Sequence, residues 1–209
     1  MLNFIEGRSK HLSDHLKDTM YHYRYQVFVE RLGWELDTAH NREVDEFDHD
    51  GTRYLIAQDK HEDIIGFARM LPTTQPYLLE HIFPELLNGM PPPKENTVWE
   101  LSRFTSMDLK KTHPSHTGQF SSETTKTILM KTLFFAYQNG AKHLISVSPV
   151  GIERLLKNVG IQVHRAGPPL TINGHRLIAC WINIKENLAL YSKCVDDSDV
   201  ILMFSAGAT

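Results

Sequence analysis

The chain has 209 residues, 41% of them apolar and 22% charged, with a net charge of -3. This is an ordinary globular composition with material for one good-sized domain, and the acidic balance argues against a general nucleic-acid binder. Cys180 and Cys194 form no CxxC spacing, no run approaches the ~18 apolar residues of a membrane span, and MLNFIEGRSK lacks a signal-peptide core, so a cytoplasmic protein in a reducing compartment is expected.

Residues 10–31 lack Gly and Pro and carry Leu12, Leu16, Met20, Tyr23 and Val27 at helical spacing, which predicts one helix ended by Gly33. An acidic, turn-rich stretch follows, closing at Asp50-Gly51. RYLIAQ and DIIGFARML around the polar turn DKHE read as a β-hairpin stopped by Pro72. A short helical piece broken by Pro84 and the loop NGMPPPKEN lead to a strand at 97–105. After the polar loop KKTHPSHTGQ come a helix from Ser122 to Gly140, a strand KHLISVS, and a helix N-capped by Ser148 with Pro149 in its first turn. RLIACWINI is a late strand, and a last helix covers about 186–193. The crossover from 97–105 through the helix to 143–148 asks for parallel neighbours, whereas the hairpin is antiparallel. The expected fold is α/β: a single domain over 1–209, a mixed β-sheet flanked by helices, the shape of N-acyltransferases.

The strand TVWELSRFTS holds charge where packing alone would place Val or Ile. Strict alternation puts Glu100, Ser102 and Phe104 on one face and Trp99, Leu101 and Arg103 on the other. Buried charges need partners, and Arg24, Arg69, Asp45 and Asp48 also stand at apolar or turn positions. An ion-pair network that only locks the sheet is the alternative to an active site. Metal chemistry is not expected. His11/His15 and His113/His116 lack the Glu of HExxH or a Cys partner, and DEFDHDG places Ala57 where a calcium loop requires Glu.

Five ordered stretches, RYQVFVERLGWEL, EVDEFDHDGTRYLIA, IGFARMLPTTQPYLL, WELSRF and SVSPVGIERLLKNVG, resemble the motifs of the LuxI-type acyl-homoserine lactone synthases of bacterial quorum sensing. The likeness covers about residues 20–165, with R-x3-F-x5-W, D-x-x-D, R-x-L-P-T-T and E-L-S-R-F in order. Arg24, Phe28, Trp34, Asp45, Asp48, Arg69, Phe83, Glu100 and Arg103 match the family's signature positions. The resemblance implies an acetyltransferase-like (GNAT-like) fold. It also implies S-adenosylmethionine as a substrate with no permanently bound cofactor, and an acyl chain of medium length delivered by acyl carrier protein or acyl-CoA.

On that resemblance Glu100 is the first candidate base and Asp45 the second, with Ser102, Arg103 and backbone N–H groups near Thr105 at the reacting centre. Arg24, Phe28, Trp34, Asp48, Arg69, Phe104 and Thr105 are expected at the S-adenosylmethionine site. Met107, Leu129, Leu133, Ile145, Val147 and Ile152 are candidates for an acyl slot. Ile145 stands where 3-oxo users often carry Thr, which favours an unsubstituted chain. Arg154, Lys157, Lys142 and Arg165 are expected to group at the pocket mouth as a docking face for the acidic carrier protein. A general acyl-CoA-dependent N-acyltransferase and a non-catalytic S-adenosylmethionine or carrier-protein sensor are the alternatives.

Overall fold

The computed structural model describes residues 2–110 and 122–192. Most of the polar loop 110–119, with His113 and His116, lies outside these residues, as do Cys194 and the end of the last helix.

The sheet has eight strands: β1 (Asn3–Arg8), β2 (Arg53–Gln58), β3 (Ile64–Pro72), β4 (Val98–Thr105), β5 (His143–Pro149), β6 (His164–Arg165), β7 (Leu170–Ile172) and β8 (His175–Asn183). Their order is β1-β2-β3-β4-β5-β8-β6, with β7 on β8. Every pairing is antiparallel except β4–β5, as the predicted crossover through α3 (Ser122–Gln138) demands. The hairpin, the mixed sheet and the flanking helices follow the sequence. The edge strand β1 and the short β6 and β7 were not predicted.

Two helical expectations need correction. The first helix, α1 (Asp14–Arg24), starts at the Ser13 cap, whose Oγ accepts the Leu16 N–H, and not at residue 10. From Tyr25 to Arg31 it widens into a π-helix, closed by Leu32 N–H to Val27 carbonyl at 3.0 Å, with Gly33 at φ 68° ending it as expected. Ser148 does not cap α4 (Val150–Asn158). It pairs with Ile178 inside β5, and Pro149 takes the cap position without a side-chain bond.

Strand alternation divides the side chains between two layers. Leu55, Ala57, Ala68, Met70, Trp99, Leu101 and Leu144 face α3, α4 and α5 (Ile184–Ser192) in an apolar core. On the other face Tyr54, Ile56 and Phe67 pack under α1 and the π-helix, and Leu71, Val98 and Ile145 under α2 (Leu78–Ile82) and the 3-10 turn Pro84–Leu87.

β4 breaks the alternation at the site, as the β2–β3 pair does between Ala57 and Gln58. Ser102 of β4 pairs with Arg69 and Thr105 with Phe67, so three steps on β4 match two on β3. The extra residue is a β-bulge, with Arg103 at the left-handed φ of 53°. Arg103 therefore returns to the face of Glu100 and Ser102, while Phe104 turns to the apolar core, against the strict alternation expected. Beyond the bulge β4 also leaves β5. Their pairing stops at Glu100–Ile145, although β5 continues along β8 to Pro149. The two strands open into a wedge.

Candidate active site

Three arginines and three carboxylates meet on the α1 face above the bulge. Arg24, at the last turn of α1, reaches Glu43 through Nε at 2.6 Å and Asp48 through Nη1 at 2.7 Å. Arg69 of β3 donates through Nη1 to Asp45 at 2.5 Å and through Nε to Ser102 Oγ at 3.0 Å, and its Nη1 forms an ion pair with Asp48 at 3.1 Å. Arg103 holds Glu43 at 3.0 Å and Asp45 at 2.9 Å through Nη2. The Tyr54 hydroxyl donates to Asp48 Oδ1 at 2.8 Å, and the Asp45 N–H to its other oxygen at 3.0 Å.

Burial opposes these charges, and mutual attraction outweighs it. The carboxyl groups of Asp48 and Glu43 are held below their usual range, Asp48 by Arg24 and Arg69, Glu43 by Arg24 and Arg103. Arg24 and Arg69 are pulled up in turn by their carboxylates. The network is a closed set of three against three, and sequence reasoning missed one member. Glu43 was not singled out, because nothing in NREVDEFD separates it from a solvated acid. Its spacing of two from Asp45 in an extended segment was the available signal.

Glu100 is not the third partner. Fully buried, it accepts the N–H groups of Leu78 at 3.1 Å and Leu79 at 2.7 Å, one on each oxygen, and so fixes the start of α2. Burial pushes its carboxyl up to about 6, against the pull of those N–H groups and of Arg69.

Only part of the network faces outward. The side chains of Arg24 and Arg69 are 0% exposed, whereas Asp45 is 17% and Arg103 7% exposed. The Arg103 guanidinium lies 5.7 Å from the Phe28 ring and 5.6 Å from that of Trp34, and those two rings are 4.8 Å apart. The π-helix and Gly33 thus bring the expected aromatic pair to the expected arginine. Phe83 lies at the end of α2 in the neighbouring cluster, and Phe104 and Thr105 do not join the site side chain to side chain. Phe104 packs toward α3, and Thr105 is buried in register with Phe67. An open cavity of about 620 Å³ behind the network, bordered by Ser9, Asp14, Tyr21 and His49, includes only Asp48 of the expected residues.

The sequence of this chain matches the family model described as Autoinducer synthase over residues 9–189. The chain belongs to the autoinducer synthase family. It is 49% identical over 183 residues to the acyl-homoserine-lactone synthase of Acinetobacter nosocomialis, a match covering 88% of this chain and all of that one. The crystal structure of TofI with an inhibitor and MTA superposes with a TM-score of 0.77 at 36% identity, over 90% of this chain and 95% of that one. A putative N-acetyltransferase from Lactobacillus plantarum shares the fold at 15% identity and a TM-score of 0.58, over 88% of this chain and 98% of that one. The expected acyltransferase family and acetyltransferase-like fold are therefore correct, and the chain is an enzyme of the acyl-homoserine-lactone synthase class.

The remaining predicted residues scatter. Leu129, Leu133 and Ile152 lie in the core on the α3 side, Ile145 and Val147 on the α2 side, and Met107 under α1. The wedge separates the first two groups, and no single cluster joins all six. Of the docking cations, Lys157 and Arg165 both bind Glu153, at 2.7 and 2.6 Å, with Arg154 exposed on the same helix as Lys157. Lys142 precedes β5 at its closed end, hydrogen-bonded through its N–H to Thr97, away from the wedge mouth where it was expected. Among the described residues no helix is long and apolar enough to cross a membrane, and no group of three His, Cys, Asp or Glu could hold a metal.

Proposed function

We propose that the enzyme transfers a medium-length acyl chain from acyl carrier protein, or from acyl-CoA, to the amine of S-adenosylmethionine and then closes the lactone with release of methylthioadenosine. The observation that carries this reading is the pairing of Asp45 with Arg103 at the one outward edge of an otherwise sealed network, beside the opening between β4 and β5. An amino-acid end is itself a cation and an anion a few ångströms apart. Asp45 receives its ammonium and Arg103 its carboxylate, while Phe28 and Trp34 flank the sulfonium, a cation–π contact worth ~0.5–2 kcal/mol. TofI in complex with MTA supports a site for this product in the family.

Asp45 is the carboxylate the amine can touch. It directs the departing proton to solvent once nitrogen attacks the thioester carbon, and an α-amine of pKa ~8 asks for no strong base. Nitrogen bonds to the carbonyl carbon, and backbone N–H groups at the bulge from Arg103 to Thr105 stabilise the oxyanion. The C–S bond then breaks and the carrier leaves as a thiol. In the second half the carboxylate oxygen attacks the γ-carbon, and the sulfonium departs with its bonding pair as methylthioadenosine. Positioning suffices for that step, because the leaving group is already charged.

Glu100, ranked first on sequence, acts here as a positioning residue through α2. Arg24, Glu43, Asp48, Arg69 and Ser102 hold Asp45 and Arg103 in place. The acyl chain lies in the wedge between Val147 and the α3 side chains, and Arg154, Lys157 and Arg165 form the carrier-docking face. Mass spectrometry of products from S-adenosylmethionine and a panel of acyl carrier proteins and acyl-CoAs tests the whole. An acyl-homoserine lactone with methylthioadenosine is expected. Acyl transfer without methylthioadenosine would replace the reading by ordinary N-acylation, and binding without turnover would replace it by a sensor.

A further inference from the structure

Two threonines of α3 are fully buried, and only one is satisfied. The Thr132 hydroxyl donates to the Ile128 carbonyl at 2.8 Å, the usual back-bond of a helical threonine. The Thr125 hydroxyl has no hydrogen-bond partner among the described residues. An unmet buried hydroxyl costs about 1–3 kcal/mol, and Val would fill the same space without that cost.

Its position says what it could meet. Thr125, Leu129 and Leu133 stand four residues apart on one face of α3, and both leucines belong to the α3-side group of acyl-slot candidates. One turn after Thr125, Ile128 lies over the bulge. A Cβ on Gly66 would meet Ile128 Cδ1 at 2.4 Å and the Thr105 carbonyl oxygen at 3.2 Å. The hydroxyl therefore lies about one helical turn, ~5 Å, from the side chain covering the strand where the thioester carbonyl is expected to sit. On the opposite face of the sheet, the position where 3-oxo users often carry Thr is the apolar Ile145, buried on the α2 side.

We infer that Thr125 is a specificity-determining residue that selects an acyl chain bearing an oxygen on its third carbon, a ketone or a hydroxyl. This rests on the synthase reading above and reverses the preference for an unsubstituted chain drawn from Ile145. A ketone accepts from the Thr125 O–H, and a hydroxyl can both accept and donate. The rest of the chain runs along Leu129 and Leu133.

The test compares kcat/KM for lactone formation with three carrier-protein donors of equal length, unsubstituted, 3-oxo and 3-hydroxy, in wild type, Thr125→Val and Thr125→Ser. In wild type an oxygenated donor is expected to be the better substrate. Thr125→Val should lower the ratio of oxygenated to plain donor by roughly tenfold, the size of one buried hydrogen bond, and Thr125→Ser should restore most of it. Because the ratio is taken within one enzyme, a general loss of fold or activity cancels. Whichever oxygenated donor suffers the larger drop identifies the substituent. If Thr125→Val makes lactone with an unchanged ratio, the inference is wrong. If folded wild type makes no lactone from any donor, the synthase reading itself falls.

Discussion

The two faces of the sheet solve the problem of burial in opposite ways. Toward α3, the strands present Leu, Ala, Met and Trp, and helix and sheet meet by close packing. Toward α1, the strands at the same depth present Arg69, Ser102 and Arg103, and contact is made by ion pairs and hydrogen bonds. Close packing tolerates volume-conserving exchange. A closed charge network does not, because removing one member leaves another buried and uncompensated. The difference explains why a bulge at Arg103 is worth its left-handed backbone: without the extra residue, the guanidinium would point into the apolar layer.

Breaking the network at its deepest point should have the largest effect. Arg24→Met leaves Glu43 and Asp48 each short of a cation, and a loss of about 3–5 kcal/mol in denaturant-derived stability is expected. Leu129→Met on the other face should cost less than about 1.5 kcal/mol. Similar losses for both would show that the network is not closed. Asp45→Asn comes next. It keeps shape and removes the charge proposed to meet the amine, so kcat/KM should fall about a hundredfold or more, with lactone formation as the readout. A variant within a few-fold of wild type would remove Asp45 from the reacting centre.

The apolar face was largely legible in the sequence, because period-2 and period-3.6 patterns report burial directly. The polar face was legible in its members but not in its partners. Arg24, Arg69 and Arg103 were found because charge in an apolar run is anomalous, and Asp45 and Asp48 because they stand at a chain turn and match the D-x-x-D of the family resemblance. Glu43 sits among acids in a turn-rich stretch, where burial leaves no mark on the pattern. Glu100 was found for the same reason as the arginines and given the wrong neighbours, since its partners are backbone N–H groups of α2 that no side-chain pattern reveals. A single bulge also moved Arg103 and Phe104 to the faces opposite those expected. Edge strand β1 carries Gly7 and half-exposed side chains, and so lacks the alternation that announces a strand.

Glu100 sharpens the comparison through pH. Its carboxyl is raised from 4.5 to about 6 in the fold, so the folded state binds more protons than the unfolded chain between those values. The contribution is complete below pH ~4.5 and lost as pH rises through about 6, a difference of about 2 kcal/mol. Asp48 and Glu43 act in the opposite sense. Their lowered carboxyls stabilise the fold at neutral pH and lose that contribution in acid. Glu100→Gln should flatten the stability profile between pH 4.5 and 6 and leave the acid limb intact. As a positioning residue its kcat should stay within about tenfold of wild type. A far larger loss in a folded variant would return the proton to Glu100.

The smallest expected effect lies at the proposed docking face, where the same contrast between closed and open charge recurs. Glu153 already engages Lys157 and Arg165, so their charge toward a partner is partly cancelled, while Arg154 on the same helix makes no such pair among the described residues. Arg154→Glu should therefore raise KM for an acyl carrier protein donor by about five- to tenfold at low salt, with the gap to wild type closing as ionic strength rises. Lys157→Ala should do less, because the charge it removes is already partly cancelled by Glu153. With an acyl-CoA donor, which docks without the carrier's acidic surface, Arg154→Glu should shift KM less than with the protein donor. Equal shifts with both donors would place Arg154 at the thioester arm and not at the carrier protein.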